Sequence, residues 1–343
     1  LLQMCISGRF GIKPVDYHTN MERVIFASEI KALLADPATP RRPNDDRLYD
    51  YLVYGYLDHT AETMFADIRQ LPPAHRLVVR QGQITIQRYW DLDPDQRLDN
   101  LSDQAAIGRL RELFFDSVRL HLQSDVPIGT CLSGGLDSSA IVCAIARLLD
   151  AEGVDRAMLG ERQRTFTASF DDPAFDERRF AREVIAQTGA QAYFAFPRAE
   201  ELGALLPDLI WRQEEPFGST SIVAQWCVMQ LAGQQGIKVM LDGQGSDEIL
   251  GGYHPFFSGL WANLLRRADF AGLSRTLAGF RGRHGVPPRI PLTGALGLAS
   301  PPAPPRGALQ RPARPQPSWP HRPATRTPLG TLVPDHTSHT PAE

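Results

Sequence analysis

The sequence predicts an α/β fold, a parallel sheet with helices on both faces, preceded by a β-rich region. Three observations carry that expectation. From residue 126 to 241 short apolar runs alternate with segments of helical length, the pattern of a parallel sheet. Between the first run and the first helix lies a glycine-rich turn, Leu132-Ser133-Gly134-Gly135-Leu136-Asp137-Ser138-Ser139. Well ahead of it, residues 75–90 read strand, turn, strand, which is a hairpin.

In chain order, Arg23-Val24-Ile25-Phe26-Ala27 is a strand, and residues 28–34 a short helix with Ser28 as its cap. Residues 46–54 are helical. The hairpin pairs residues 75–80 with 83–90 across a Gln81-Gly82 turn. Residues 91–100 are polar, contain Pro94 and read as a linker. A long amphipathic helix over residues 102–123 carries Leu110, Leu113, Phe114, Val118 and Leu122 on one stripe, which should pack. Strands then fall at 126–131, 165–170, 192–196 and 238–241, with helices at 140–149, 176–188, 199–212 and 221–233. Three parts follow: 1–93, 94–285 and 286–343. Residues 301–343 hold 12 of the 28 prolines and no Lys, Ile, Phe or Tyr. Such a stretch buries too little apolar area to offset its ordering entropy, so the tail is expected to be disordered.

The chain has 343 residues, 43% hydrophobic and 22% charged, with a net charge of −3. That composition suits a globular protein of about two domains. The near-neutral balance gives no reason to expect nucleic acid or an anionic membrane as partner. No apolar run reaches the ~18 residues of a membrane span. Cys5, Cys131, Cys143 and Cys227 form no CxxC pair, and Cys131 and Cys143 sit in apolar runs. They read as small buried hydrophobes in a reducing cytoplasm, with no zinc site. Residues 1–6 are too short for a signal peptide and do not begin with Met, so the start reads as a cut.

A strand, a glycine-rich turn and a helix in that order make an anion site. Unpaired amides of the turn and first helical turn converge, and the helix dipole adds partial positive charge. Gly134 and Gly135 let the backbone approach a phosphate, and Ser133, Ser138 and Ser139 offer hydroxyls. A capped Ser/Gly turn would explain Ser-Gly-Gly alone, but not the whole octapeptide. Asp137 repels phosphates unless a hard cation such as Mg²⁺ lies between them. The lysine of a GxxxxGK[ST] loop is missing. A second turn, Leu241-Asp242-Gly243-Gln244-Gly245-Ser246-Asp247-Glu248, follows the last strand. Alone it is an ordinary loop; on the same sheet edge as the first, it lets Asp137 and Asp247 ligate Mg²⁺ from opposite sides of a triphosphate.

The octapeptide resembles the pyrophosphate loop of the ATP pyrophosphatases, which adenylate a substrate. Together with Glu215-Pro216-Phe217-Gly218, the second turn and Gly251-Gly252-Tyr253, it resembles the synthetase domain of glutamine-hydrolysing asparagine synthetase of the B type. Arg9-Phe10-Gly11-Ile12-Lys13-Pro14 and residues 26–33 resemble the later part of that family's N-terminal-nucleophile glutaminase domain. The resemblance covers about residues 9–257. It implies that ATP and Mg²⁺ convert aspartate to asparagine through β-aspartyl-AMP, with ammonia from glutamine. It implies ATP or pyrophosphate contacts at Leu132, Ser133, Gly134, Gly135, Asp137, Ser138, Phe170, Gly243 and Ser246, and metal contacts at Asp137 and Asp247. A cytoplasmic enzyme is implied, with room for a homodimer when intact.

Three departures bear on this. The family's glutaminase nucleophile is an N-terminal cysteine, and Cys5 lies in an unmatched context, so no nucleophile is expected in this chain. Gln244 stands where many members carry an acid that handles the ammonia's proton, and glutamine is no base at neutral pH. The family's later synthetase segment is replaced by the proline-rich tail, so weak ATP binding and little synthesis are expected. Two other readings stay open: another amide- or lactam-forming ATP enzyme, and an inactive nucleotide-binding fragment.

Overall fold

The structure, a computed structural model, describes residues 2–20, 22–80, 83–93, 96, 101–150, 159–160, 162–172 and 176–284. The Gln81-Gly82 turn, most of the second half of the predicted linker and the proline-rich tail lie outside these residues.

Before residue 91 the elements are β1 (Leu2–Ile6), β2 (Asp16–Thr19), β3 (Val24–Ala27), α1 (Ile30–Leu34), α2 (Asp45–Tyr54), β4 (Ile68–Gln70), β5 (His75–Arg80) and β6 (Gln83–Arg88). They make two antiparallel three-stranded sheets, ordered β1-β5-β6 and β3-β2-β4. Burial is not a simple alternation: β2 buries Asp16, Tyr17 and His18 in succession, while Tyr17, Leu71 and Leu77 share one apolar cluster and Ile30, Leu33 and Ile68 another. The hairpin is where the sequence put it. β1 and β4 have no such signature: β4 is three residues long, and β1 is drawn into the sheet by pairing with β5 rather than by its own pattern.

The expected cap of α1 is a correction. Ser28 does not cap it; the helix begins at Ile30 with Glu29 at the N-cap position and no side-chain cap from that residue. The amides of Ile30 and Lys31 donate instead to Glu214 Oε2 and Oε1, at 2.8 and 2.6 Å, from 184 and 183 residues away. By contrast α2 is capped locally by Asn44, whose Oδ1 accepts from the Arg47 amide, and ends at Gly55 in the left-handed conformation.

The second half runs α3 (Asp103–His121), β7 (Ile128–Cys131), α4 (Leu136–Asp150), β8 (Arg164–Ala168), α5 (Arg178–Thr188), β9 (Gln191–Ala195), a 3-10 turn (Ala199–Glu201), α6 (Leu202–Gln213), α7 (Ser221–Gln234), β10 (Val239–Leu241) and α8 (Ser246–Leu250). The four strands are parallel in the order β10-β7-β8-β9. Ile128, Val239 and Leu241 pack toward α3 and α4. Phe166, Cys131, Ala168 and Met240 pack on the other face with Val228 and Ala232 of α7. Helices therefore cover both faces, as the alternating pattern predicts. The stripe on α3 is corrected in part: Val118 and Leu122 are buried, but Leu110 and Leu113 are about half exposed, so only the helix's C-terminal end joins the core. No helix among the described residues is long and apolar enough to cross a membrane.

Residues up to Leu250 form one compact unit, and a second begins at Gly251. In the second, α9 (His254–Arg266) and α10 (Phe270–His284) meet through Trp261 and Phe280, whose rings lie edge to face at 5.4 Å.

Candidate functional site

Strand order decides where a ligand can sit. From β7 the chain moves outward to β8 and β9, then returns to add β10 on the other side of β7. The switch of direction lies between β7 and β10, and the crevice beyond the carboxyl ends at such a point is where open parallel sheets bind ligands. The turn after β7 is residues 132–135 and the turn after β10 is residues 242–245. Both glycine-rich motifs thus flank the switch point.

The first turn is held from below. Leu132 is buried, its amide donates to the Phe166 carbonyl at 2.9 Å, and its own carbonyl accepts from Thr167 Oγ1 at 2.6 Å. Ser138, 7% exposed, folds its hydroxyl back under the turn, where its Oγ accepts from the Ser133 amide at 3.2 Å. Its Oγ also lies 3.0 Å from Ser133 Oγ. Gly134 has φ +89, and a Cβ there would stand 2.8 Å from Phe180 Cβ and 3.0 Å from the Ala181 amide. Glycine is thus required twice over, by backbone conformation and by the closeness of α5. The Gly135 amide donates to Ser133 Oγ at 3.2 Å and the Ser139 amide to the Gly135 carbonyl at 3.1 Å, so the donors left for an anion are the first amides of α4, from Leu136 to Ser138, which have no intrahelical acceptor.

The second turn closes on the first. A Cβ on Gly243 would meet Asp137 Cβ at 3.0 Å and the Ser138 amide at 3.1 Å. Asp242 Oδ1 accepts from the Gln244 amide at 3.1 Å, fixing the bend, and Gly245 has φ +92 with open space where a side chain would be. Gln244 is exposed beside the crevice, and Ser246 and Asp247 open α8 at its rim. Phe170 lies two residues beyond β8, half-buried. The predicted nucleotide-side residues therefore fall in the two glycine-rich turns, in the first turns of α4 and α8, and just after β8, all beyond the carboxyl ends of the strands.

Thr167 and the start of α5 were not singled out by the sequence, yet they fix the geometry of the loop. β8 reads Arg-Thr-Phe-Thr-Ala, so nothing local marks Thr167, which reaches Leu132 from 35 residues away. Cys131 ends β7 with its thiol pushed up to about 12, by burial and then by the Asp242 carboxylate, so it stays neutral and unreactive.

The donor set suits a phosphate chain: open amides, serine hydroxyls and a glycine backbone that leaves room. Asp137 is half-buried, and neither Asp137 nor Asp247 is in an ion pair among the described residues. Among those residues no group of three His, Cys, Asp or Glu side chains could hold a metal by itself. A hard cation would need ligand oxygens as well as these carboxylates, which is how Mg²⁺ ordinarily meets a nucleotide.

A second feature lies where the antiparallel sheets meet the α6–α7 connection. Asp16 is 5% exposed, and burial first, then Glu215, Glu214 and Asp58, raise its carboxyl to about 7. Burial also raises Glu215, although the Met64 amide, donating to its Oε1 at 2.5 Å, pulls the other way. A cavity of about 340 Å³ opens here between residues 47–64 and 213–222.

Comparison with known proteins agrees with these features. A family model described as asparagine synthase matches residues 109–321, and one described as glutamine amidotransferase domain matches residues 3–90. Asparagine synthetase [glutamine-hydrolyzing] 3 of Bacillus subtilis is 31% identical over 257 residues, covering 73% of this chain and 41% of that protein. Asparagine synthetase [glutamine-hydrolyzing] 1 of the same organism is 29% identical over 248 residues, 71% of this chain and 36% of that protein. Amidase chry2 of Gibberella zeae is 29% identical over 259 residues, 72% and 37% respectively. The chain spans little more than a third of the length of most of the curated relatives it matches.

Proposed function

The chain belongs to the asparagine synthase family, and from that premise we propose that its parallel sheet binds Mg-ATP and activates a carboxylate for amidation. The observation that carries the reading is the contact of Gly243 with Asp137 and Ser138, which joins two phosphate-suited turns across the switch point. In the proposed reaction a carboxylate oxygen of aspartate attacks the α-phosphorus of ATP, and the α–β bridging oxygen leaves with pyrophosphate. Ammonia then adds to the acyl carbon of β-aspartyl-AMP, loses a proton, and AMP departs to leave asparagine. Little covalent chemistry falls to the protein; it positions the reactants and neutralises charge.

The amides that open α4 and the Ser133 hydroxyl would hold the departing pyrophosphate. Leu132, Gly134, Gly135 and Ser138 shape that cradle, with Gly243 and Ser246 on its second wall and Phe170 beside the nucleoside. Mg²⁺, held by Asp137 and Asp247 with phosphate oxygens, would offset the charge that develops on pyrophosphate. Gln244 would orient ammonia without accepting its proton. In the full-length enzyme ammonia would come from glutamine through the amidotransferase domain, whose model matches residues 3–90 here.

A second reading has a specific support, the similarity to a fungal protein named as an amidase: the same scaffold with another acceptor acid. Pyrophosphate–ATP exchange decides between them. Label should pass from pyrophosphate into ATP when aspartate is added. Exchange with another carboxylic acid but not aspartate would move the assignment to the second reading, and no exchange with any acid alongside ATP binding would favour an inactive nucleotide module.

A further inference from the structure

We propose that Glu214 and Glu215 form a strap that ties the β-rich part of the chain to the start of α7, and so sets the edge of the sheet that carries the candidate site. Three attachments within four residues support it. The Glu214 carboxylate accepts from the amides of Ile30 and Lys31 and from Lys31 Nζ at 3.1 Å, supplying the cap that α1 lacks. Glu215 Oε1 accepts from the Met64 amide, and the Phe217 carbonyl accepts from Tyr51 Oη at 3.0 Å. Three separate pieces of the β-rich part, α1, the residue-64 loop and α2, therefore hold one short segment.

The backbone of that segment is not relaxed. Glu214 has φ 65, in the left-handed region, at the end of α6. A non-glycine residue stays there only where its surroundings over-determine it, and the bonds to α1 do so. Four residues after Phe217, α7 begins at Ser221. Its far end is fixed at the opposite edge of the sheet, because Arg164, the first residue of β8, donates to the Gln235 carbonyl at 3.2 Å. A helix of 14 residues is about 21 Å long. Ser221 accordingly lies toward the carboxyl edge, with the two glycine-rich turns. The strap therefore links the β-rich part to that edge through hydrogen bonds spanning more than 150 residues of chain.

The inference rests on the function proposed above only in naming what the strap positions; the strap itself is tested without a ligand. Hydrogen exchange of the full chain would be followed in Glu214→Ala, Glu214→Gln and Tyr51→Phe variants. Glu214→Ala should speed exchange at Ile30 and Lys31, and also at Ile222 and Val223 in the first turn of α7, by about tenfold. Glu214→Gln, which keeps an acceptor oxygen, should restore part of the protection. Tyr51→Phe, a change in α2, should loosen Ile222 and Val223 while leaving Ile30 and Lys31 near wild type. If Glu214→Ala exposes only Ile30 and Lys31, Glu214 is a cap and nothing more, and the strap is overturned. Should that variant fail to fold, the two milder ones decide by the same comparison at Ile222 and Val223. Calorimetry of the wild type with Mg-ATP is read separately: absence of binding would overturn the proposed function and leave the exchange result to judge the strap.

Discussion

Gly243 stands against Asp137, so close that a Cβ on the glycine would lie 3.0 Å from the Cβ of the aspartate. The two residues are more than a hundred positions apart; Asp137 opens α4 after β7 and Gly243 lies in the turn after β10, and those two strands are parallel neighbours in one sheet. Gly243→Ala must push the two turns apart by a few tenths of an ångström. Overpacking of this kind costs about 1–3 kcal/mol. Because the displaced atoms are the nucleotide cradle, Mg-ATP affinity should fall about tenfold or more. Isothermal calorimetry checks it; an alanine variant that binds as the wild type does would mean the contact is slack.

Asp137 itself should matter only through the cation. Asp137→Ala removes a carboxylate with no ion-pair partner among the described residues, so the fold should be unaffected, while Mg-ATP binding should weaken by a few kcal/mol, the usual cost of losing a charged partner. With EDTA in place of Mg²⁺ the two proteins should bind ATP equally weakly, or the alanine variant slightly better, since a charge facing the phosphates is gone. An equal loss with and without Mg²⁺ would remove the metal from Asp137.

Thr167 offers a change outside the motifs. Its hydroxyl donates to the Leu132 carbonyl at 2.6 Å, and both residues are buried. Thr167→Val keeps the shape and leaves that carbonyl without its side-chain donor, a loss of about 1–3 kcal/mol. Urea unfolding should record the loss, and exchange of the 132–135 amides should rise with it. A variant of unchanged stability would show that the carbonyl finds another partner.

The residues that could be read from the sequence are those whose pattern is local. Strand, turn and helix around Ser133 share one contiguous stretch, and the φ of +89 at Gly134 is a property that a glycine pair announces. Placing the second turn beside the first needed the alternation of strands and helices, which fixes a common edge for every strand's carboxyl end. The Ser28 cap failed for the opposite reason: a serine before an apolar run is a sound local signal, but the α1 amides are taken by Glu214 from far away in sequence. Likewise the stripe on α3 announces an apolar face without saying what covers it, and Leu110 and Leu113 remain half exposed. Asp16 carries no mark of its own in the sequence, since nothing local reveals that Glu214, Glu215 and Asp58 act on it.

That convergence gives the last prediction its sign. Asp16 has its carboxyl raised from 3.8 to about 7, chiefly by burial and then by the three neighbouring carboxylates. Between roughly pH 4 and pH 7 the folded chain therefore keeps a proton that the unfolded chain has released. Wherever the native state binds more protons, stability falls as pH rises, so the contribution is fully present below about pH 4 and lost as pH passes through about 7. A difference of about three pH units sets a ceiling near 4 kcal/mol, and Glu215, raised as well, acts in the same direction. Asp16→Asn carries no titrating group and should flatten this part of the profile, becoming relatively more stable than the wild type above pH 7. Urea unfolding at pH 5, 6, 7 and 8 for both proteins isolates the effect, because every other titrating group is common to the pair. A stability difference between them that does not change from pH 5 to pH 8 would mean that Asp16 is already ionised in the folded chain.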